Sequence, residues 1–288
     1  MRIERPIPKL LVGFFVVAIL AVVAAVIVTL SRPAPLPAPL PSPNGYDDLA
    51  RAGALVADGV SDYPEMSRDE LQSLVARNEE ALRLAEVGLS RECRVPVDSF
   101  SATSFDMEYL AGIKRLAQAM AATGRLAELE DRPAEAAEAY VTVMRLGQAS
   151  SRGGLLIHAM VGIAVEQIGA ASLEKLMPSL GAKTCRETAA AIESSESGRE
   201  PMEAVLAQER AWMRRAYGWR SVIWLFTNPT LKASEQSTAA RMKALRGRVR
   251  QLLIELASRA YELDKGQRPK GVADLVPEYL KAVPPEPQ

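Results

Sequence analysis

Histidine is almost absent from this chain. Its 288 residues hold one, His158, and only two cysteines, Cys93 and Cys185. Metal sites and nucleophile–base pairs draw heavily on those residue types, so the supply for either is poor. No HExxH, GxSxG, P-loop or GxGxxG stretch occurs, and no CxxC, so neither a cofactor nor thiol chemistry is expected. An excess of one charge is missing too. Lys plus Arg total 35 and Asp plus Glu total 35, which gives no general attraction to nucleic acid. Aromatic residues make up 5% against 48% apolar, and Ala and Leu dominate. That mixture suits helix packed on helix. No segment alternates convincingly with period two, so strands are not expected either. The fold class expected is all-α.

What is present begins with Leu10 to Leu30, a run of 21 residues without a charge. A bilayer core of about 30 Å needs about 20 helical residues, so the run is long enough to span it. Cleavable signal peptides have apolar regions of about 7–15 residues, which makes an uncleaved anchor the better reading. Arg2, Arg5 and Lys9 precede the run, and only Arg32 closely follows it. The positive-inside rule then leaves residues 1–9 in the cytoplasm and the remainder outside, in an inner (cytoplasmic) membrane protein with one pass. The partner expected for residues 10–30 is the lipid bilayer. Next, Pro recurs at every second position from Pro33 to Pro43. Proline fixes φ and lacks an N–H, so residues 31–45 are expected to form a stiff polyproline stalk that holds the following domain off the membrane.

From Tyr46 onward, helical signals follow one another. Ser67 and Glu70 are spaced as a capping box, with an apolar stripe from Leu71 to Leu89 behind them. Phe105 to Glu130 carries Leu110, Ile113, Leu116 and Met120 on one face, and Pro133 opens a further helix. Thr184 and Glu187 are spaced as a second capping box, and a helix from Pro201 runs toward Phe226. Asn228-Pro229 breaks the chain before a long seam from Met242 to Leu263. Gly266 and Pro269 end that helix, and a short cap helix carrying Val272, Leu275, Tyr279 and Leu280 is expected to fold back on it. The plan is therefore a helical domain over 46–265 and a cap over 266–288.

Two resemblances sharpen this plan. With Gly124, Ala136, Tyr140 and Leu146 at the small, aromatic and apolar positions, residues 117–150 resemble one tetratricopeptide unit, although Ala127 stands where that motif has an aromatic. A single unit implies a hairpin inside a bundle or short solenoid, since arrays need about three repeats. The tail "YELDKGQRPKGVADLVPEYLKAVP" and the segment "RGGLLIHAMVGIAVEQIG" resemble those of uncharacterised membrane-anchored helical proteins of planctomycete-type bacteria. That resemblance implies no activity.

Three sets of residues remain as candidate sites. His158 and Glu166 are eight residues apart on an apolar helix, nearly one face, and could share a buried hydrogen bond or line a groove. Cys93 and Cys185 permit a disulfide in an oxidising compartment, or stand as two buried thiols. Trp212, Trp219 and Trp224 fall within 13 residues and are interleaved with Arg210, Arg214, Arg215 and Arg220. Such a segment suits a membrane interface or an acidic partner, with packing of the tryptophans in the core as the alternative. From Glu209 to Arg250 there are 10 basic residues and 2 acidic ones. The function expected is a membrane-tethered extracytoplasmic scaffold with a protein partner. The alternatives are an enzyme with a groove near His158 and Glu166, or a structural subunit of a secretion or envelope assembly.

Overall fold

The computed structural model describes residues 14, 17–22, 24–25, 34–97, 107–218, 221 and 228–286. Among the described residues every regular element is helical. Helix α1 covers Gly45–Leu55, α2 Arg68–Arg77, α3 Glu79–Leu89, α4 Met107–Leu129 and α5 Pro133–Ser151. Helices α6, Leu156–Leu176, α7, Ala182–Ser197, α8, Met202–Tyr217, and α9, Pro229–Lys265, complete the body.

Local chemistry explains most of these boundaries. The Ser67 capping box forms, with the Ser67 N–H donating to Glu70 Oε2 at 2.7 Å. The stripe behind it is split, however, because Asn78 separates α2 from α3. Its side chain is buried, accepts the Ala57 N–H at 2.9 Å and donates to the Leu74 carbonyl at 2.9 Å. The second expected box does not form. Helix α7 already starts at Ala182, which places Thr184 and Glu187 inside it. Helix α8 stops at Tyr217, where Gly218 takes φ +60°, so it ends short of Phe226. Asn228 caps α9 by accepting the N–H groups of Thr230 and Leu231. Its 37 residues reach about 55 Å at 1.5 Å each, and Gly266, at φ +68°, ends it as expected.

Packing follows chain order. Helix α1 lies against α3 and α4, then α4, α5 and α6 pack in succession, and α9 covers α6 and α7. The close approaches are made by glycine. A Cβ on Gly162 would sit 2.6 Å from the Gly147 carbonyl oxygen, and one on Gly169 would sit 2.5 Å from that of Tyr140. Gly53 on α1 meets Gly112 on α4 in the same way. In the α4–α5 hairpin Gly124 lies under the Tyr140 ring, whose hydroxyl donates to Glu128.

One core cluster joins α1 to α9 and the tail, including Leu116, Tyr140, Leu173, Ile192 and Leu256. The tail makes only a single 3-10 turn, Val272–Leu275, where a cap helix was expected. It packs back nevertheless. Leu275, Tyr279 and Leu280 are buried, and the Tyr279 ring lies 5.4 Å from that of Tyr261 on α9.

The apolar run 10–30 falls largely outside the described residues. Those of it that are described, Phe14, Val17 to Val22, Ala24 and Ala25, are helical and exposed. One segment among the described residues is long and apolar enough to cross a membrane, Leu156–Ser179, with mean hydropathy 1.5. More than half of its apolar window is buried inside the protein, so it serves as the central helix of the bundle. Residues 34–41 form no helix or strand, as proline dictates, and the chain bends at 42–43. They do not stand clear of the body, as a stalk was expected to do. Arg215 Nη1 donates to the Pro35 carbonyl at 2.6 Å, and Pro37, Ala38 and Leu40 line a crevice with Val95, Val97 and Gln208.

Candidate functional site

The polar residues of α6 set the candidate site. At its start, unpaired backbone N–H groups need acceptors, and side chains from three places supply them. The Leu155 N–H donates to His158 Nδ1 at 3.1 Å, that of Leu156 to Glu209 Oε2 at 2.8 Å, and that of Gly153 to Glu200 Oε2 at 2.9 Å. His158 is thus a capping acceptor. An accepting Nδ1 requires the neutral ring with its proton on Nε2. Burial holds its pKa down to about 4.

This has a measurable pH consequence. An unfolded His158 charges near 6.5, while the folded one stays neutral to about 4. The stability tied to the neutral ring is complete above the unfolded value and is lost as the pH falls toward the folded one. It amounts to about 3 kcal/mol. His158→Gln keeps an acceptor at the same helical position without a titrating ring. Denaturant melts across that window should therefore show a shallower acid loss in the variant than in the wild type.

Glu166 lies two turns further along α6 and does not pair with His158. It is 2% exposed and faces Arg199, from the loop after α7. Arg199 Nη1 donates to Glu166 Oε1 at 2.9 Å, and Nη2 donates to Oε2. The same guanidinium reaches Glu196, with Nε donating to Oε2 at 3.0 Å. Gln148 on α5 closes the network. Its Nε2 donates to Glu166 and Glu196 at 3.3 and 3.1 Å, and its Oε1 accepts from Ser195 Oγ at 2.7 Å. Burial pushes the Glu166 carboxyl up from its ordinary value, and the Arg199 guanidinium opposes that shift. A low-dielectric site is where a charge must find a partner, so a Glu in the middle of an apolar helix announces an arginine somewhere. The sequence supplied that signal without saying which arginine.

The space between these groups is small. The cavity touching Glu166, Gln148, Arg199 and Met242 measures about 20 Å³, about one water molecule's worth of room. A larger opening of about 280 Å³ lies beyond Arg199, walled by Arg246, Arg250 and the tail from Pro284 to Glu286. There Arg250 Nη2 pairs with Glu286 at 2.9 Å. Among the described residues no group of three or more His, Cys, Asp and Glu side chains is placed to hold a metal ion.

The two cysteines do not pair. Both are buried free thiols, Cys93 donating to the Gly88 carbonyl at 3.4 Å beneath α1 and Cys185 sitting within α7. Burial pushes the Cys93 thiol up to about 11 and raises that of Cys185. Thiolate is the reactive form, so iodoacetamide at mildly alkaline pH should leave the folded protein unlabelled. The unfolded chain, without reductant, should take up two adducts. Fewer would mean a bond between them.

Of the tryptophan and arginine segment, Trp212 and Arg215 are described, while Trp219, Arg220 and Trp224 lie outside the described residues. Trp212 is buried with Tyr46, Val95, Val97, Leu155 and Met213. Its indole meets the exposed Tyr217 ring edge-on at 6.1 Å. Core packing is therefore the role of this tryptophan, with arginine at its rim.

No family model matches the chain, and neither does any curated protein or solved structure.

Proposed function

We propose that this chain is a membrane-tethered helical domain that binds a protein outside the cytoplasm, and that it is not an enzyme. The observation carrying this reading is the filled interior around α6. His158 is spent on a helix cap, Glu166 on Arg199, and the cavity beside Glu166 holds only about 20 Å³. A substrate pocket measures hundreds of cubic ångströms, and the larger opening beyond Arg199 is lined by neither His158 nor a cysteine. The apolar run 10–30, with Arg2, Arg5 and Lys9 before it, supports the tether.

Protein binding is supported by a groove of about 560 Å³ between α3 and the α4–α5 hairpin. Leu82, Leu89 and Met120 supply its apolar wall, and Glu86, Glu135 and Glu138 its acidic side. That combination suits a basic peptide segment with apolar anchors. The hairpin's likeness to one tetratricopeptide unit points the same way.

Two measurements test the reading. A reporter active only outside the cytoplasm, fused after Gln288, should be on, and a silent fusion overturns the compartment. Affinity capture after cross-linking on intact membranes should recover a partner with the wild type and lose it with a Glu135→Lys, Glu138→Lys pair. Equal recovery would remove the groove from the account.

A further inference from the structure

We infer that the end of α8 rests on the anionic headgroups of the bilayer in which residues 10–30 are anchored. This inference depends on the reading of those residues as an anchor. Its starting point is the contact between Arg215 and the Pro35 carbonyl. Pro35 is the fifth residue after Leu30, the last of the apolar run. At full extension these five steps reach about 18 Å. The headgroup layer is itself about 5–7 Å thick on each side. Where the leaflet facing the domain carries anionic lipid, its surface potential falls off over a further Debye length of about 8 Å. Full extension would leave Pro35 about 11–13 Å beyond the headgroup layer, and a path shorter by about 3–5 Å brings it within one Debye length.

The charge of that region fits the same partner. Between Glu209 and Arg250 only Glu209 and Glu235 are acidic, and both are engaged. Glu209 accepts the Leu156 N–H, and Glu235 pairs with Arg210 at 3.6 Å. Arg210, Arg214 and Arg215 share the last two turns of α8, and Lys232 is exposed at the start of α9. Leu231, its neighbour, packs on the Trp212 cluster, which brings the start of α9 to the same pole. Tyr217, 44% exposed, adds an amphipathic ring of the type that settles at the headgroup level. Residues 34–43 thus act as a strap that turns one pole of the domain toward the membrane.

The test uses the full-length protein in lipid nanodiscs. Because Cys93 and Cys185 are buried, Tyr217→Cys and Lys183→Cys each offer one accessible thiol for a spin label. Discs of phosphatidylcholine alone are compared with discs containing phosphatidylglycerol. The label at 217 should be shielded from a water-soluble nickel relaxant in the anionic discs and exposed in the neutral ones, while the label at 183 stays exposed in both. Shielding should vanish near 1 M salt, where the Debye length is about 3 Å. Replacing the exposed Lys232 by alanine should weaken docking about fivefold, the effect of one basic residue near such a surface. A protein that fails to enter discs overturns the anchor and the inference with it. A protein that enters discs but leaves position 217 exposed, or shields it equally without anionic lipid, overturns the inference alone.

Discussion

Replacing Arg199 by alanine should lower the stability of the domain by about 3–5 kcal/mol, the usual effect of breaking a buried ion pair. Glu166 would then remain 2% exposed with its countercharge gone and only Gln148 as a donor. For a domain of this size that corresponds to a fall in Tm of about 6–20 °C. The loss should narrow as the pH is lowered, because burial already raises the Glu166 pKa and protonation removes the stranded charge. Two comparisons isolate the cause. Glu166→Gln combined with Arg199→Met removes both charges and should cost far less than the single change. Arg83→Ala, which breaks an exposed pair with Glu80, should leave stability nearly unchanged. Calorimetry of the detergent-solubilised protein reads all three. A single Arg199→Ala change as mild as Arg83→Ala would mean that water enters the cluster.

Truncation after Lys270 should have an effect of similar size. Tyr279 and Leu280 are 4% and 1% exposed, and both belong to the main core. Returning two such side chains to water costs about 3–6 kcal/mol as an upper bound. The truncation also strips the Tyr279 ring from Tyr261 on α9 and removes the Glu286 partner of Arg250. Leu280→Ala supplies the milder version, at about 2–5 kcal/mol with the backbone of the tail retained. If the truncated protein melts with the wild type, the tail contributes nothing to the fold.

These two features differ in how far the sequence announced them. The packing of the tail was legible, because Gly266 and Pro269 force a turn that leads the apolar residues beyond it back to α9, although its further contacts with Arg186 and Glu193 on α7 were not. Its conformation was not, since a 3-10 turn and a short α-helix ask nearly the same of four residues. The ends of α9 were legible from Asn228-Pro229 and Gly266 for the same local reasons. Asn78 shows the opposite case. The break it makes depends on the Ala57 N–H, 21 residues earlier, and no local pattern encodes that bond. Glu166 fails in the same way. Helical spacing offered His158 as the partner, whereas the partner in space is Arg199, 33 residues later. Trp212 stands between these cases, since a tryptophan among arginines reads equally well as anchor or surface. Periodicity and breakers thus carried the architecture, and long-range pairing of buried polar groups decided the site.

The contacts between Gly147 and Gly162, and between Gly53 and Gly112, are made by backbone against backbone. A side chain confronted with a larger neighbour can rotate away, but a carbonyl in a helix has no second position to occupy. Replacement at these sites is therefore opposed on both sides of the contact at once, while most other surfaces of α1, α4, α5 and α6 can drift by compensating exchanges. Over long divergence the composition of the core should wander and the spacing of these glycines should not. Distant relatives of this chain are to be recognised by the glycines at 53, 112, 147, 162 and 169 sooner than by any catalytic signature.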